Sequence, residues 1–536
     1  MYNYDISGRV LSLTYTGYAK IATTYDEFDR PNGVTYTFAG EEKSVSFTYG
    51  EGGRKGTTVL LSGATVSVQY DDFSREEKVA VGNVYEKEIT YLGAGGNRTT
   101  TLPASVKYSK NSQTIFNEIY TYDDIGNIKT VTNNGVTTTY FYDTLNQLTR
   151  ASGSDGTVTK YFYNDGGNIN YKVNADGSKT HYVYDSEWKD LLVGFGGQSI
   201  TYDTIGNPIN YLGNTMSWTG RTLDSITKAD GTQISYTYDL DGIRTKKTVN
   251  GVTTEYFVNG TTILAQKTGN DIIWFIYDSD GQILGFTYND VPYYYVKNLQ
   301  GDVIKVVDTN GTVVASYTYD PWGKVTSSTG TMAEINPIRY RGYYYDVETG
   351  LYYLNTRYYD PDTCRFINAD TTAVLTASPM SMTYKNLYAY CDNNPVVRVD
   401  IGGQLWEWIK ELYGRNMAIQ QQQQAVDTQI RQQYIDAVYD GVTAFWDAYV
   451  QSNELAAERK YQQDIAIKNA IEQELSKWQE DPALAGDFTF MAIGNMGAYA
   501  SYVSFVINPC LGAGVGLLVG LSGAVWSTLR YFEVVD

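Results

Sequence analysis

The chain has 536 residues, among them 51 Tyr, 51 Gly, 11 Pro, three Cys and a single His, with a formal charge of −19. Three cysteines (Cys364, Cys391, Cys510) cannot build a disulfide framework, and a lone His181 leaves no room for a His-pair metal centre or a zinc-protease helix. The negative balance argues against general affinity for nucleic acid, and Met1-Tyr-Asn-Tyr-Asp lacks the basic and apolar regions of a secretory signal.

Tyrosine is spread unevenly, with 43 before residue 401 and eight after it. Tyr-Asp or Tyr-Asn pairs stand at Tyr122, Tyr142, Tyr163, Tyr184 and Tyr202, at intervals of 20, 21, 21 and 18 residues. Further copies follow at Tyr238, Tyr277 and Tyr319, and looser ones precede them at Tyr25 and Tyr70. Stretches such as Thr137-Thr-Thr-Tyr-Phe-Tyr alternate small polar and aromatic residues, the period of a half-buried strand. The Asp/Asn and Gly that follow suit tight turns, and Asn133-Asn-Gly, Asp155-Gly, Asp176-Gly and Asn250-Gly supply the opposite turns. Each unit of about twenty residues therefore predicts one β-hairpin. A lone hairpin is unstable, so neighbours must stack into a continuous sheet. The turn aspartates read as Asx turns rather than calcium ligands, His181 as a strand-surface residue, and Cys364 and Cys391 as core. No cofactor is predicted.

Residues 317–403 carry the most specific motifs. These are Tyr319-Asp-Pro-Trp-Gly-Lys, Asn336-Pro-Ile-Arg-Tyr-Arg-Gly-Tyr-Tyr-Tyr-Asp, Glu348-Thr-Gly-Leu-Tyr-Tyr-Leu, Arg357-Tyr-Tyr-Asp-Pro-Asp, Arg365-Phe-Ile-Asn-Ala-Asp370, Asn386-Leu-Tyr-Ala-Tyr-Cys and Asn393-Asn-Pro-Val. The set resembles the RHS repeat-associated core, in its Gram-positive, wall-associated or secreted form, and the upstream pairs resemble that family's YD repeats. The resemblance covers about residues 110–403 and, more loosely, 1–110. It implies a mainly β protein whose hairpin sheet spirals into a hollow shell, plugged by the core, around a C-terminal polymorphic toxin. It also implies an intramolecular aspartyl protease that cuts the toxin free. The family's Arg and two Asp fall on Arg357, Asp370 and Asp400. Asp400 opens Asp-Ile-Gly-Gly-Gln where the family has Asp-Pro-x-Gly-Leu, and cleavage by position would follow Gln404 or Leu405. Of two carboxylates held close, one keeps a proton and the other can activate water, while Arg357 orders the pair or steadies an oxyanion. The alternative is that Arg357 and Asp370 form a buried ion pair that only closes the plug.

Beyond the core the composition changes. Residues 406–480 hold no Pro, and Val426, Ile430, Tyr434, Val438, Val442, Phe445 and Tyr449 recur at helical spacing. Asp481-Pro482 ends this region. Residues 488–529 hold no charge, and Asn508-Pro509 divides them into halves of bilayer-spanning length. Gly512, Gly516 and Gly520 have the spacing that packs membrane helices closely; a buried glycine-rich helical pair in a soluble domain is the other reading. Four segments result: repeats (1–316, irregular over 1–110), core (317–404), a helical variable region (405–482) and an apolar hairpin (483–536).

The expected function is a toxin carrier whose cargo lies in 405–536. That cargo has no His, one Cys, and eight Lys/Arg against sixteen Asp/Glu, so membrane insertion suits it better than nuclease chemistry. Its partners would be the shell itself, a cognate immunity protein and a target-cell membrane, with no nucleic acid. The competing expectation is a structural cell-surface or orphan RHS protein without active cargo, in keeping with a start at Met1 inside a repeat-like pattern. At most the chain is a single-turnover protease.

Overall fold

The computed structural model describes residues 1–15, 19–49, 55–93, 99–370, 386–400 and 402. Among them, 32 strands from β1 (Tyr2–Tyr4) to β32 (Val325–Thr329) form one sheet in which each strand pairs antiparallel with the next. The irregular first hundred residues belong to the same meander: β1 to β5 (Glu41–Tyr49) and β6 (Lys55–Val59) to β9 (Tyr85–Gly93) continue through β10 (Thr99–Lys110) without a change of topology. The sheet ends at Thr329, because β31 (Val313–Tyr319) runs through residue 316 and pairs with β32.

The repeating pair has a division of labour. The aspartate Oδ1 accepts two backbone N–H groups of its own turn, as at Asp123 from Ile125 (3.1 Å) and Asn127 (2.8 Å), or Asp143 from Leu145 and Gln147 (2.9 Å each). This is the Asx turn that the sequence suggests. The tyrosine reaches backwards. Tyr142 donates to the Ile128 carbonyl (2.7 Å), Tyr163 to Leu148 (2.6 Å), Tyr184 to Ile169 (2.8 Å) and Tyr319 to Val303 (2.8 Å). The accepting residue is the one that opens the strand after the preceding turn, so each hydroxyl ties one repeat to its predecessor. Trp218 donates likewise to Pro208 (2.7 Å) and Lys297 to Ile283 (2.7 Å), where the sequence shows no Tyr-Asp pair.

The sheet coils back onto itself. Trp274 on β27 (Asp271–Tyr277) donates to Glu41 on β5 at 2.8 Å, and Tyr294 on β29 (Val291–Lys297) reaches Ser62 at 3.0 Å. Ile21 and Phe38 pack there against Phe257, Leu264 and Trp274. Nearer the end of the sheet, the Leu299 amide donates to Tyr120 and Lys305 to the Ile115 carbonyl. One return takes 233 residues at Glu41 and 179 at Tyr120, so the coil narrows towards the core.

The core is a small four-stranded sheet of β33 (Tyr344–Asp346), β34 (Leu351–Leu354), β35 (Arg357–Asp360) and β36 (Arg365–Phe366), almost wholly buried. Tyr340, Tyr352, Tyr359 and Tyr390 make its centre, each at most 2% exposed, with Tyr359 stacked on Tyr390 at 4.1 Å. Gly323 of Asp-Pro-Trp-Gly has φ +88°, and a Cβ there would enter the Tyr340 ring, so that motif needs glycine for both shape and space.

Candidate active site and plug interface

Arg357 opens β35 and presents one guanidinium nitrogen to two carboxylates. Its Nη2 lies 3.0 Å from Asp370 Oδ2 and 3.3 Å from Asp400 Oδ2, and all three residues are buried. The other terminal nitrogen donates to the Leu387 carbonyl (3.1 Å), and the guanidinium lies over the Phe366 ring at 3.5 Å. Asp370 is set by its own amide, which donates to the Leu387 carbonyl (2.9 Å). The Asp400 amide donates to the Tyr343 hydroxyl (3.0 Å), which in turn lies 3.1 Å from Tyr390.

The segment that carries Asp400 is pinned along its length. Arg341 donates to the Pro395 and Val396 carbonyls, Arg398 pairs with Asp392, and Thr356 holds the Gly402 carbonyl at 2.9 Å. The structure thus brings together the three residues that the sequence selected, from three separate segments. It adds Phe366, Leu387 and Tyr343, which lie inside the quoted motifs without having been singled out, and Thr356, for which the sequence carries no signal. Gln404, Leu405, Gly512, Gly516 and Gly520 lie outside the described residues, as does the helical region. Among the described residues, no helix is long and apolar enough to cross a membrane, and no group of three His, Cys, Asp or Glu is arranged to hold a metal.

The arrangement suits one task in two forms. A guanidinium between two carboxylates offsets their mutual repulsion and fixes their separation, which serves either hydrolysis or a latch. Cys364 and Cys391 are buried, and burial pushes both thiols up, Cys364 to about 12, which removes them as nucleophiles. His181 stands exposed on β17 (Lys179–Tyr184).

The plug is seated on successive repeat turns. Asn394 donates to Asn127 (3.2 Å), Asn393 to Gln147 (2.8 Å), and Asn386 and Arg365 both donate to Asn168 (2.7 Å each). The Tyr388 hydroxyl donates to the Gly206 carbonyl (3.0 Å), and a Cβ on Gly206 would meet that hydroxyl and Trp188. Deeper in, Arg244 on β24 (Arg244–Val249) makes two bonds to Asp346, at 2.6 and 3.2 Å, inside a ring of Tyr236, Tyr256, Tyr344, Tyr353 and Tyr358. Lys247 bridges Asp346 and Glu348 at 2.9 Å each. Burial pushes Asp346 up, but Arg244 and Lys247 outweigh it and hold the carboxyl below its ordinary range. Sequence reasoning did not select this cluster; its cations on β24 and its acids in the core motifs lie about a hundred residues apart.

Comparison with known proteins agrees with the fold. The family model described as Teneurin YD-shell matches residues 96–396, more than half of the chain. The tRNA3(Ser)-specific nuclease WapA of Bacillus spizizenii is 38% identical over 220 residues, 40% of this chain and 9% of that protein. The tRNA nuclease WapA of Bacillus subtilis is 36% identical over the same share of each. The match thus spans about a tenth of the length of these relatives. The crystal structure of TcdB2-TccC3-Cdc42 superposes with a TM-score of 0.61 at 19% identity, covering 75% of this chain and 23% of that one.

Proposed function

Since the chain belongs to the Teneurin YD-shell family and is an RHS/YD-repeat protein, we propose that it is the carrier part of a secreted or surface-borne polymorphic toxin that cuts its own C-terminal cargo free. The observation that carries this reading is the convergence of Arg357, Asp370 and Asp400 on the segment leading to Gln404 and Leu405. In the proposed step, one carboxylate takes a proton from water and the oxygen attacks the scissile carbonyl. The second, protonated carboxyl gives its proton to the leaving amide nitrogen, so one water is consumed and one C–N bond is replaced by C–O. Arg357 orders both groups and offsets charge as the oxyanion forms.

The relatives named as tRNA nucleases lend the carrier reading, not their substrate. Residues 405–536 have no His and an excess of acid over base, which favours a membrane-active cargo built on 488–529 and kept in check by an immunity protein. Leakage of dye from liposomes by 405–536 would support that cargo; no leakage at any pH or lipid composition would remove it.

The carrier proposal is tested on the full chain. Purified protein should separate into two fragments, the smaller starting at Leu405 or Trp406. Asp370→Asn and Asp400→Asn should stay intact. Wild-type protein that remains whole, or a break indifferent to both variants, would overturn the protease. A second reading is favoured by the number of Arg357 contacts: two carboxylates, a carbonyl and a ring describe a latch that closes the plug of a structural surface protein. In that case both substitutions lower stability and neither changes the length of the chain.

A further inference from the structure

Several lysines on the sheet surface are paired with a glutamate of the neighbouring strand. Lys246 faces Glu255 in register at 2.7 Å, Lys78 meets Glu86 at 2.7 Å, and Lys107 stands 3.6 Å from Glu88. One stretch breaks this pattern. β13 (Val136–Tyr142), β14 (Leu148–Gly153), β15 (Val158–Tyr163), β16 (Ile169–Val173) and β17 contain no Asp or Glu, in a chain with a net charge of −19. Their inward residues Tyr161 and Tyr182 pack on Trp322 and Cys364 of the core region. The outward face carries Phe141, Arg150, Lys160, Phe162, Tyr171, Lys179 and His181.

Arg150 and Lys160 are register partners, so two cations stand directly opposite each other. Like charges so placed repel unless an anion lies between or above them. Among the described residues neither side chain makes a hydrogen bond or an ion pair, and Arg150 Nε is buried without an acceptor. Arg150 is also pre-positioned, with its guanidinium over the Phe141 ring at 3.5 Å. Beside this pair Phe162 stacks on Tyr171 at 4.3 Å, Tyr171 lies 5.7 Å from His181, and Lys179 Nζ lies over the Tyr171 ring at 5.4 Å. The result is an apolar ridge flanked by three cations on the outward face of the sheet.

We infer that this face binds an anionic polysaccharide of the uronate type: Arg150 and Lys160 clasp a carboxylate, and the Phe162–Tyr171–His181 ridge takes the apolar faces of adjoining sugar rings. Charge decides the class. A carboxylate between Arg150 and Lys160 offsets the repulsion of that pair, and the net charge of −19 disfavours the denser charge of a nucleic-acid duplex; single-stranded DNA, also with one charge per sugar, is the comparison the test must separate. The site lies on the face turned away from the core, and it is independent of whether the chain cuts itself.

The test is retention of the full chain on immobilised polygalacturonate at low salt, with amylose and single-stranded DNA as comparison matrices. Wild type should bind polygalacturonate in preference to both and elute with salt. Arg150→Gln/Lys160→Gln should weaken binding by about tenfold or more without lowering Tm, because repulsion is relieved. Lys179→Gln, at an exposed position, should weaken it by about threefold. Lys246→Gln, in the paired region, should bind as wild type. Failure of wild type to bind polygalacturonate, tighter binding to DNA, or unchanged binding by the Arg150/Lys160 and Lys179 variants would overturn the inference.

Discussion

The first three Asp turns and the central ones share a backbone and differ consistently at the fourth residue after the capping side chain. In both, the aspartate or asparagine caps the amides two and four residues on, as Asp26 does for Phe28 and Arg30 and Asp203 for Ile205 and Asn207. Four residues on, the early turns carry arginine. Arg9, Arg30 and Arg75 pair with the aspartate of their own turn and cover Tyr25, Tyr49 and Tyr91 at 3.9 to 4.8 Å. The central turns carry Asn127, Gln147, Asn168 and Asn207, all buried, and the first three hydrogen-bond the plug through side-chain amides. The turn therefore folds by itself, and the fourth residue after it records what covers it. Arginine closes a turn that faces solvent; an amide leaves a donor and an acceptor for a second surface.

The largest effect should come from removing the charge that docks the plug on the central repeats. Asp346→Ala leaves Arg244 and Lys247 buried without their shared partner, and a broken buried pair costs about 3–5 kcal/mol. Limited proteolysis should then release the plug sheet while fragments from residues 1–93 stay protected, and equal loss in both regions would end the distinction between them. Next comes the exchange of turn types. Asn127→Arg puts a charge where Asn394 now sits and should cost about 2–4 kcal/mol. Arg30→Asn, in an exposed turn, should cost no more than about 1 kcal/mol. Urea denaturation of both variants measures the asymmetry, and similar values would break the comparison.

Part of this was legible in the sequence and part was not. The repeat interval and the alternation of Tyr with small residues give the hairpins, and the Asp and Gly give their turns, because strand period and turn chemistry are local. The motif resemblance placed Arg357, Asp370 and Asp400, and the structure brings them to one nitrogen. The reach of each tyrosine to the preceding repeat was not legible, since a hydroxyl bond across about fifteen residues leaves no local pattern. Nor was the Arg244–Asp346–Lys247 cluster, which exists only because the coil returns the repeat strands to the core. The Arg-to-Asn change at the fourth turn position stood in plain view, yet only the plug contacts give it meaning.

A third measurement turns on pH. Asp320 caps the last turn of the sheet, and burial raises its carboxyl to about 6 despite Lys172 and the amides of Trp322 and Lys324. Its folded value lies above the ordinary 3.8, so the folded state binds this proton more tightly and stability falls as pH rises from about 4 to about 6. Asn164 holds the same turn position in another repeat with the same two amide bonds. Asp320→Asn should therefore keep the turn and lose that slope, gaining about 1–3 kcal/mol on wild type between pH 4 and pH 7. Asp26→Asn, in a solvent-facing turn where arginine favours the charged form, should show no such gain. A parallel pH profile for both pairs would place the two turn classes in one environment.

The smallest effect sharpens the comparison most finely, because it tests the element both regions share. Tyr163 donates to Leu148 at 2.6 Å beneath the plug, and Tyr25 donates to Val10 at 2.9 Å in the first repeats. Tyr4, also followed by Asp, is 53% exposed, and its hydroxyl bonds no carbonyl among the described residues. Removing one hydroxyl costs about 0.5–1.5 kcal/mol when a carbonyl loses its donor away from water, and less where water replaces it. Tyr163→Phe should accordingly cost about 1 kcal/mol, Tyr25→Phe a few tenths, and Tyr4→Phe about nothing. That gradient follows solvent access rather than sequence, since Tyr25 and Tyr4 stand in the same Tyr-Asp pair and Tyr163 differs only by Asn164. Equal costs at Tyr163 and Tyr25 would mean that the hydroxyl ladder, not the plug, sets the stability of the central repeats.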